Sequence, residues 1–327
     1  MQPTMRAVVV REHGGRDVLL LEEVPVPQPA EGQVLVKVRA VSVNMGLDVG
    51  NREGRYSGPA HKLSLPFIPG TDPSGVVVKV GAGVTGLKPG DRVAGGAEGG
   101  LGGYAEYALL NKRARKVPDA LAFPEATVIS RHFGAAYGEV RRAKVAQGDW
   151  VLVLGAAGGL GSCAVQVAKH FGARVIGGAS SANRVAATLA LGADYGIDYR
   201  NESLVDRVNE ITEGHGVDVV LENIGSPTLF PQAFEALARN GRLVTIGAHG
   251  GGTVPLDVSR LYLQRLTVMH GMDGTEPGDA GEAFELAASG QYRALIHVIL
   301  PLEGVAEAHR LVEENEAIGK VILDPTM

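Results

Sequence analysis

The sequence predicts an α/β protein of two domains: a doubly wound parallel sheet in the middle of the chain and a small barrel-like β-domain. Three observations carry this. The chain has 327 residues, more than one compact core usually holds. Short apolar strands alternate with helix-like stretches through the middle of the sequence, the pattern of a parallel sheet with crossover helices. A glycine-rich turn, Gly155-Ala-Ala-Gly-Gly-Leu-Gly161, follows the first of those strands directly. Hydrophobic residues make up 45% and charged residues 20% of the chain, which excludes wholesale disorder.

In chain order, the first 120 or so residues read as β-structure. Val34, Val36 and Val38 alternate with Leu35, Lys37 and Arg39, the period of a half-buried strand. Short runs at Gly75–Val80, Asp91–Ala94 and Tyr104–Leu110 follow, separated by Gly- and Pro-rich turns such as Lys88-Pro-Gly-Asp-Arg92, as in a small barrel. The middle predicts strands at Trp150–Leu154, Arg174–Ile176, Val217–Leu221 and Arg242–Ile246. Helices are predicted over Ser162–Phe171, Ala182–Leu191 and Pro231–Arg239. Near the end, Val305, Ala308, His309 and Val312 mark one helical face, and Gly319–Leu323 reads as a last strand. A cofactor is expected in a cleft between the two regions.

Composition narrows the function classes. The net charge of −5 argues against a nucleic-acid partner, which needs a basic surface. Glycine is abundant, 46 of 327 residues, roughly twice average usage. The one cysteine, Cys163, supports neither an internal disulfide nor a cysteine-rich zinc site, and apolar neighbours predict its burial. The opening MQPTMRAVVVREHGG lacks a long apolar core, so no leader is expected. The uncharged run Trp150–Ala168 is broken by glycines and reads as strand, turn and helix rather than a membrane span. A cytoplasmic protein without nucleic-acid or membrane partners is expected.

The glycine turn predicts a dinucleotide site. A turn without side chains lets a diphosphate approach the backbone, and the following helix offers unpaired N–H groups and a positive dipole end. An NAD site normally places an acid some 20 residues on, for the ribose 2′-hydroxyl. From Ser162 through Ala193 the chain has no Asp or Glu; it has Ser180, Ser181 and Arg184 instead. Hydroxyls and a guanidinium suit a 2′-phosphate, so NADPH is the expected cofactor. The alternative for the same residues is a helix cap at Ser181 beside an exposed Arg184.

These features resemble the medium-chain dehydrogenase/reductase superfamily, and within it the zinc-free quinone oxidoreductase (zeta-crystallin-like) branch. The resemblance runs through Met5-Arg-Ala-Val-Val-Val10, Pro69-Gly-Thr-Asp-Pro-Ser-Gly75, Lys88–Val93, the glycine turn with Gln166, Ile197–Arg200, Leu221–Gly225, Gly241–Val244 and Gly319–Leu323. It implies a GroES-like β-barrel domain from residues 1–127 and 297–327, and a Rossmann domain over 128–296. It implies a homodimer joined by edge strands, here Leu266–Met269. Cofactor contacts carried over residue by residue are Ala157, Gly158, Gly159 and Leu160 at the diphosphate, with Ser180, Ser181, Arg184 and Tyr199 at the adenosine end. Asn223 and Ile246-Gly247-Ala248 fall along the nicotinamide side. Tyr199 also reads as an ordinary half-buried strand-end residue.

The zinc branch of that superfamily holds a catalytic metal, and this sequence places Asn44, Thr71 and Ser130 at its ligand positions. An amide and two hydroxyls are poor zinc ligands, so no metal is expected. The negative charge that builds on oxygen during hydride transfer then needs aimed donors. Asn44 is the leading candidate, and its alternative is a turn residue bonding its own backbone. Asn44-Met-Gly-Leu-Asp48 is one residue longer than the branch's usual segment. The branch's tyrosine shortly afterwards is unmatched, Tyr56 being nearest, and a threonine a few positions past Ser130 is Gly134. Two further candidates sit in Ser130-Arg131-His132. Arg131 reads either as an anion or oxyanion contact or as an inter-domain ion pair; His132 reads either as a proton shuttle or as a packed polar residue. Asp72 reads as structural.

The expected function is zinc-independent, NADPH-dependent reduction of a quinone or of the C=C bond of an α,β-unsaturated carbonyl. The alternatives are a 2-enoyl thioester reductase, with Arg131 serving an anionic acyl carrier, and a nucleotide-binding sensor or structural protein with little catalysis.

Overall fold

The computed structural model describes residues 3–55, 63–272 and 274–327, and Tyr56 lies outside them. The chain divides into two compact units, one of residues 1–131, 280–291 and 296–327, the other of 132–279 and 292–295. The first boundary falls four residues beyond the expected position, and the segment 280–291 joins the unit built from the chain ends.

In the first unit, β1 (Thr4–Val10) and β2 (Leu19–Pro25) form an antiparallel pair. β3 (Val34–Ser42), β4 (Ser74–Val80), β5 (Arg92–Ala94), β6 (Tyr107–Leu110) and β7 (Arg115–Lys116) build the larger sheet, with β3 bonded to both β4 and β6. The valines of β3 bury against Val77, Val93 and Leu110. Leu35, expected on the solvent side, is buried too, because its face is covered by Met5, Ala7, Val26 and Ala105. After β3 the chain makes a π-helical turn, Met45–Val49, running into the one-turn α1 (Gly50–Arg52). α2 (Phe123–Val128) leads into a second π-helical turn, Ile129–Phe133, and then α3 (Gly134–Arg142).

The second unit holds six strands: β8 (Trp150–Leu154), β9 (Arg174–Ala179), β10 (Tyr195–Asp198), β11 (Val217–Glu222), β12 (Leu237–Thr245) and β13 (Thr267–His270). They are all parallel, in the order β10-β9-β8-β11-β12-β13. This is the doubly wound order whose direction reverses between β8 and β11, the crevice where such sheets bind ligands. The connecting helices are α4 (Gly161–His170), α5 (Ala182–Ala190), α6 (Leu204–Ile211), α7 (Leu229–Glu235) and α8 (Val258–Leu263). β8 is buried along its whole length, which explains its unbroken apolar sequence. One expectation is corrected: the helix predicted over Pro231–Arg239 ends at Glu235, and Leu237 already belongs to β12. Asn240, at φ +64°, and Gly241 absorb an irregularity that lets the strand continue; it hides the strand period from the sequence.

α9 (Asp279–Ala288) lies almost wholly in the first unit, and after residues 292–295 that unit is completed by β14 (Ile296–Leu300), α10 (Val305–Glu313) and β15 (Lys320–Leu323). β15 pairs antiparallel with β3, Ile322 opposite Ser42. No helix among the described residues is long and apolar enough to cross a membrane. Cys163 is buried, as expected.

Gly161, which opens α4, is required by close approach: a Cβ there would lie 2.2 Å from the Gly155 carbonyl oxygen. Gly161→Ala is expected to destabilise the protein by about 1–3 kcal/mol, the cost of overpacking a rigid backbone contact. Thermal denaturation against wild type checks it, and an unchanged Tm would show that the turn yields freely.

Candidate active site

In the first unit a buried polar cluster forms where β3 ends. Asn44 starts the π-helical turn, with Asp48 N and Val49 N both bonding its carbonyl, at 2.9 and 3.2 Å. The additional residue read from the sequence is thus accommodated as a π-turn, a local widening that recurs at functional sites. Asp48 Oδ2 accepts from the Asn44 backbone N–H at 2.9 Å and Oδ1 from Gly70 N at 3.0 Å. Burial, reinforced by Asp72, pushes the Asp48 carboxyl up to about 6 against the pull of those N–H groups and of Lys320.

The Asn44 side chain is held at both ends. Its Oδ1 accepts from Lys320 Nζ at 2.8 Å, and Lys320 also donates to Val43 O at 2.7 Å. Its Nδ2 lies 3.1 Å from Thr71 Oγ1, with Ser42 Oγ, Ser42 O and Asp72 Oδ2 farther away at 3.3–3.4 Å. Thr71 Oγ1 is thus the nearest of four acceptors around the amide nitrogen, and the other three contacts are long for hydrogen bonds. Asp72 takes Ser42 N at 3.0 Å and Ser42 Oγ at 2.5 Å, bracing the end of β3.

The second π-turn is tied through α2 to β3 and β4. Thr127 Oγ1 lies 2.7 Å from Ser74 Oγ and 3.2 Å from Ala40 O, and Ser130 Oγ bonds back to Thr127 O at 3.2 Å. Arg131 is exposed and has no ion pair among the described residues, whereas His132 is buried. Asn44, Thr71, Ser130 and Arg131 therefore share one unit; His132 begins the other.

In the second unit the glycine turn links β8 to α4, whose N-terminus carries no side-chain cap. Ser162 N and Cys163 N already bond Gly158 O and Leu160 O, so what the uncapped end offers an anion is its positive dipole end and the backbone just before Ser162. Gln166, one turn further along α4, donates to Ser162 O and Arg293 O and accepts from Arg293 N, each within 2.9 Å, tying residues 292–295 to the helix. At the end of β9, Ser181 caps α5 by accepting from Arg184 N at 3.4 Å. Ser180, Arg184 and Tyr199 come together here: Tyr199 bonds Ser180 and faces the Arg184 charge. Arg184 is buried, not exposed, and that burial lowers its pKa, with Tyr199 opposing.

Asn223 spans the reversal point, its Nδ2 donating to Leu154 O at 3.3 Å. Its Oδ1 is buried with no hydrogen-bond partner among the described residues, an acceptor suited to a ligand donor. A Cβ on Gly247 would lie 2.1 Å from Asn223 O, so the Ile246-Gly247-Ala248 segment packs directly on that turn. The cradle, the uncapped helix and this orphan acceptor fit a dinucleotide. Among the described residues, no three His, Cys, Asp or Glu side chains gather as a metal site would require.

Comparisons with known proteins agree with this geometry. Residues 30–119 match the family model for the alcohol dehydrogenase GroES-like domain, and residues 159–289 that for zinc-binding dehydrogenases. The chain is 32% identical to human quinone oxidoreductase over 98% of both chains. It belongs to the medium-chain dehydrogenase/reductase superfamily, in the quinone oxidoreductase branch. It is equally similar, 32% over 98% of both chains, to a 2-haloacrylate reductase from Burkholderia sp. A mycobacterial protein solved in complex with NADPH shares its fold at a TM-score of 0.86, with 32% identity over 98% of this chain and 100% of that one. The two units are accordingly the GroES-like domain and the Rossmann-like sheet of an oxidoreductase that uses a pyridine nucleotide.

Three residues of this quinone oxidoreductase-branch chain escape sequence reading. Lys320 is only part of a terminal strand until β15 is paired with β3. Glu222 anchors the turn after β11, accepting Ile224 N, Gly225 N and Thr245 Oγ1 at 2.8–3.0 Å. Glu139, on α3, is fully buried, neither oxygen has a hydrogen-bond partner among the described residues, and burial together with Glu222 raises its pKa well above the usual range. Acids on helix faces normally read as solvated, so no sequence signal marks it.

Proposed function

We propose that this protein is a zinc-independent, NADPH-dependent reductase of quinones or of the C=C bond of α,β-unsaturated carbonyls. The observation that carries the reading is the Asn44 amide, clamped at its oxygen by Lys320 with its nitrogen turned toward Thr71, at a position where, by resemblance, the superfamily's zinc branch holds a metal ligand. When bound, a reduced nicotinamide supplies a hydride to an electrophilic carbon. Gly158, Gly159 and Leu160, with Ala157, hold the diphosphate; Asn223 and Ile246–Ala248 line the nicotinamide side. Asn44 Nδ2 donates to the substrate oxygen as charge builds there, doing the work that a metal does elsewhere. A proton from solvent or a neighbouring side chain then completes addition of hydrogen across the bond. Ser180, Ser181, Arg184 and Tyr199, with no acid at the end of β9, support NADPH over NADH.

A second reading concerns substrate charge. Arg131, exposed and without an ion pair among the described residues, suits an anionic substrate, either an unsaturated acid or a thioester on an anionic carrier; the likeness to a 2-haloacrylate reductase favours it. His132, being buried, contributes through packing on this reading. A homodimer is also proposed, with β13 as the free sheet edge and Val258, Tyr262 and Leu263 exposed beside it, in the cytoplasm.

The deciding experiment follows NADPH oxidation by chelator-treated protein with 2-cyclohexenone, 2-chloroacrylate and 1,4-naphthoquinone, with products identified by mass spectrometry. Saturated product from the enone or acid establishes metal-free double-bond reduction, and preference for the acid favours the Arg131 reading. No turnover with any of the three, despite tight NADPH binding, would overturn the enzyme reading in favour of a nucleotide sensor.

A further inference from the structure

Lys320 is buried at the first position of β15. The antiparallel register that sets Ile322 opposite Ser42 and Leu323 opposite Val41, continued two residues past those pairs, brings it across from Asn44. Its Nζ donates to Asn44 Oδ1 at 2.8 Å and to Val43 O at 2.7 Å. A lysine ammonium has donors and no acceptor. The amide atom facing it must therefore be the oxygen, and the opposite flip would set two donors against each other. Thr71 Oγ1, 3.1 Å from Nδ2, receives the other end of the amide.

The geometry points to Lys320 as a positioning residue for the reaction: it fixes which face of the Asn44 amide meets the substrate and polarises the N–H that does so. A cationic donor at the amide oxygen draws electron density from nitrogen, which strengthens the N–H as a donor, because charge-assisted and chained hydrogen bonds reinforce one another. This rests on the reading of Asn44 as the donor to the reacting oxygen. The competing role for Lys320 is structural, offsetting the buried Asp48 carboxylate. That role affects stability without selecting the hydride step.

The test is a double-mutant cycle on the intact protein with Lys320→Met, Asn44→Ala and the pair. Rates are measured with NADPH and whichever of 2-cyclohexenone and 1,4-naphthoquinone wild type turns over faster. Lys320→Met is expected to lower kcat about 10- to 100-fold, the scale of a misdirected or weakened donor. NADPH affinity should be unchanged and the isotope effect with 4-deuterated NADPH larger. In the Asn44→Ala background it should have little further effect. Wild-type kcat in Lys320→Met, or losses that simply multiply in the double variant, would overturn the positioning role while leaving the Asn44 reading intact. Wild-type kcat in Asn44→Ala would overturn that reading itself, and the role of Lys320 with it. Should Lys320→Met fail to fold, Lys320→Gln, which keeps a donor but no charge, takes its place in the cycle under the same criteria.

Discussion

Asn44→Ala is expected to lower kcat about 100- to 1,000-fold, the range seen when one aimed donor is removed from a developing oxyanion, with NADPH affinity unchanged. The amide is fixed between Lys320 and Thr71, so its removal takes away a donor already oriented before substrate arrives. Asn44→Asp separates donation from packing. It keeps an oxygen for Lys320 but replaces the donor nitrogen by a second acceptor facing Thr71 and Asp72. It should therefore be as inactive as the alanine variant and less stable than wild type, because it sets a further buried carboxylate beside Asp72 and Asp48. Steady-state kinetics and NADPH titration by fluorescence check both. An aspartate variant with wild-type kcat would show that Asn44 only holds the turn.

The second large effect concerns the cofactor. Arg184→Ala is expected to weaken NADPH binding about 100-fold while changing NADH affinity only slightly. Hydrogen bonds to a charged group contribute about 1.5–3 kcal/mol each, and a guanidinium meets a phosphate with two. The start of α5 is insulated from this change, because Ser181 accepts from the Arg184 backbone N–H rather than from its side chain. Binding titrations with both nucleotides measure the ratio. Equal losses would mean that Arg184 serves packing against Tyr199 and not a 2′-phosphate.

Much of the fold was legible because local rules governed it. The apolar run of β8, the glycine turn and the amphipathic stretch after it are adjacent in sequence, and Gly161 is demanded by a contact only six residues away. The Ser181 cap followed equally from local chemistry. Less legible was β12, where Asn240 and Gly241 interrupt the strand period and mimic the end of a helix. The burial of Leu35 depended on a second layer from outside β3, made by Met5, Ala7, Val26 and Ala105. The alternative that left Arg184 exposed fails because the fold buries its side chain, which its local sequence does not announce.

For the active site the division is sharper. By itself the sequence determined the residue types available: a glycine cradle, no acid from Ser162 through Ala193, and an amide and hydroxyls at Asn44, Thr71 and Ser130. These are statements about chemistry at single positions or within one turn, where composition decides. Only the tertiary structure decided how those groups are aimed. Lys320 lies 276 residues from Asn44, and the pairing of β15 with β3 alone brings its ammonium to the amide oxygen. The same holds for Asp72 beneath Ser42, Glu139 near Glu222, and Asn223 across the sheet's reversal point. Orientation and desolvation of polar groups are set by what packs around them, and that packing comes from chain segments far apart in sequence.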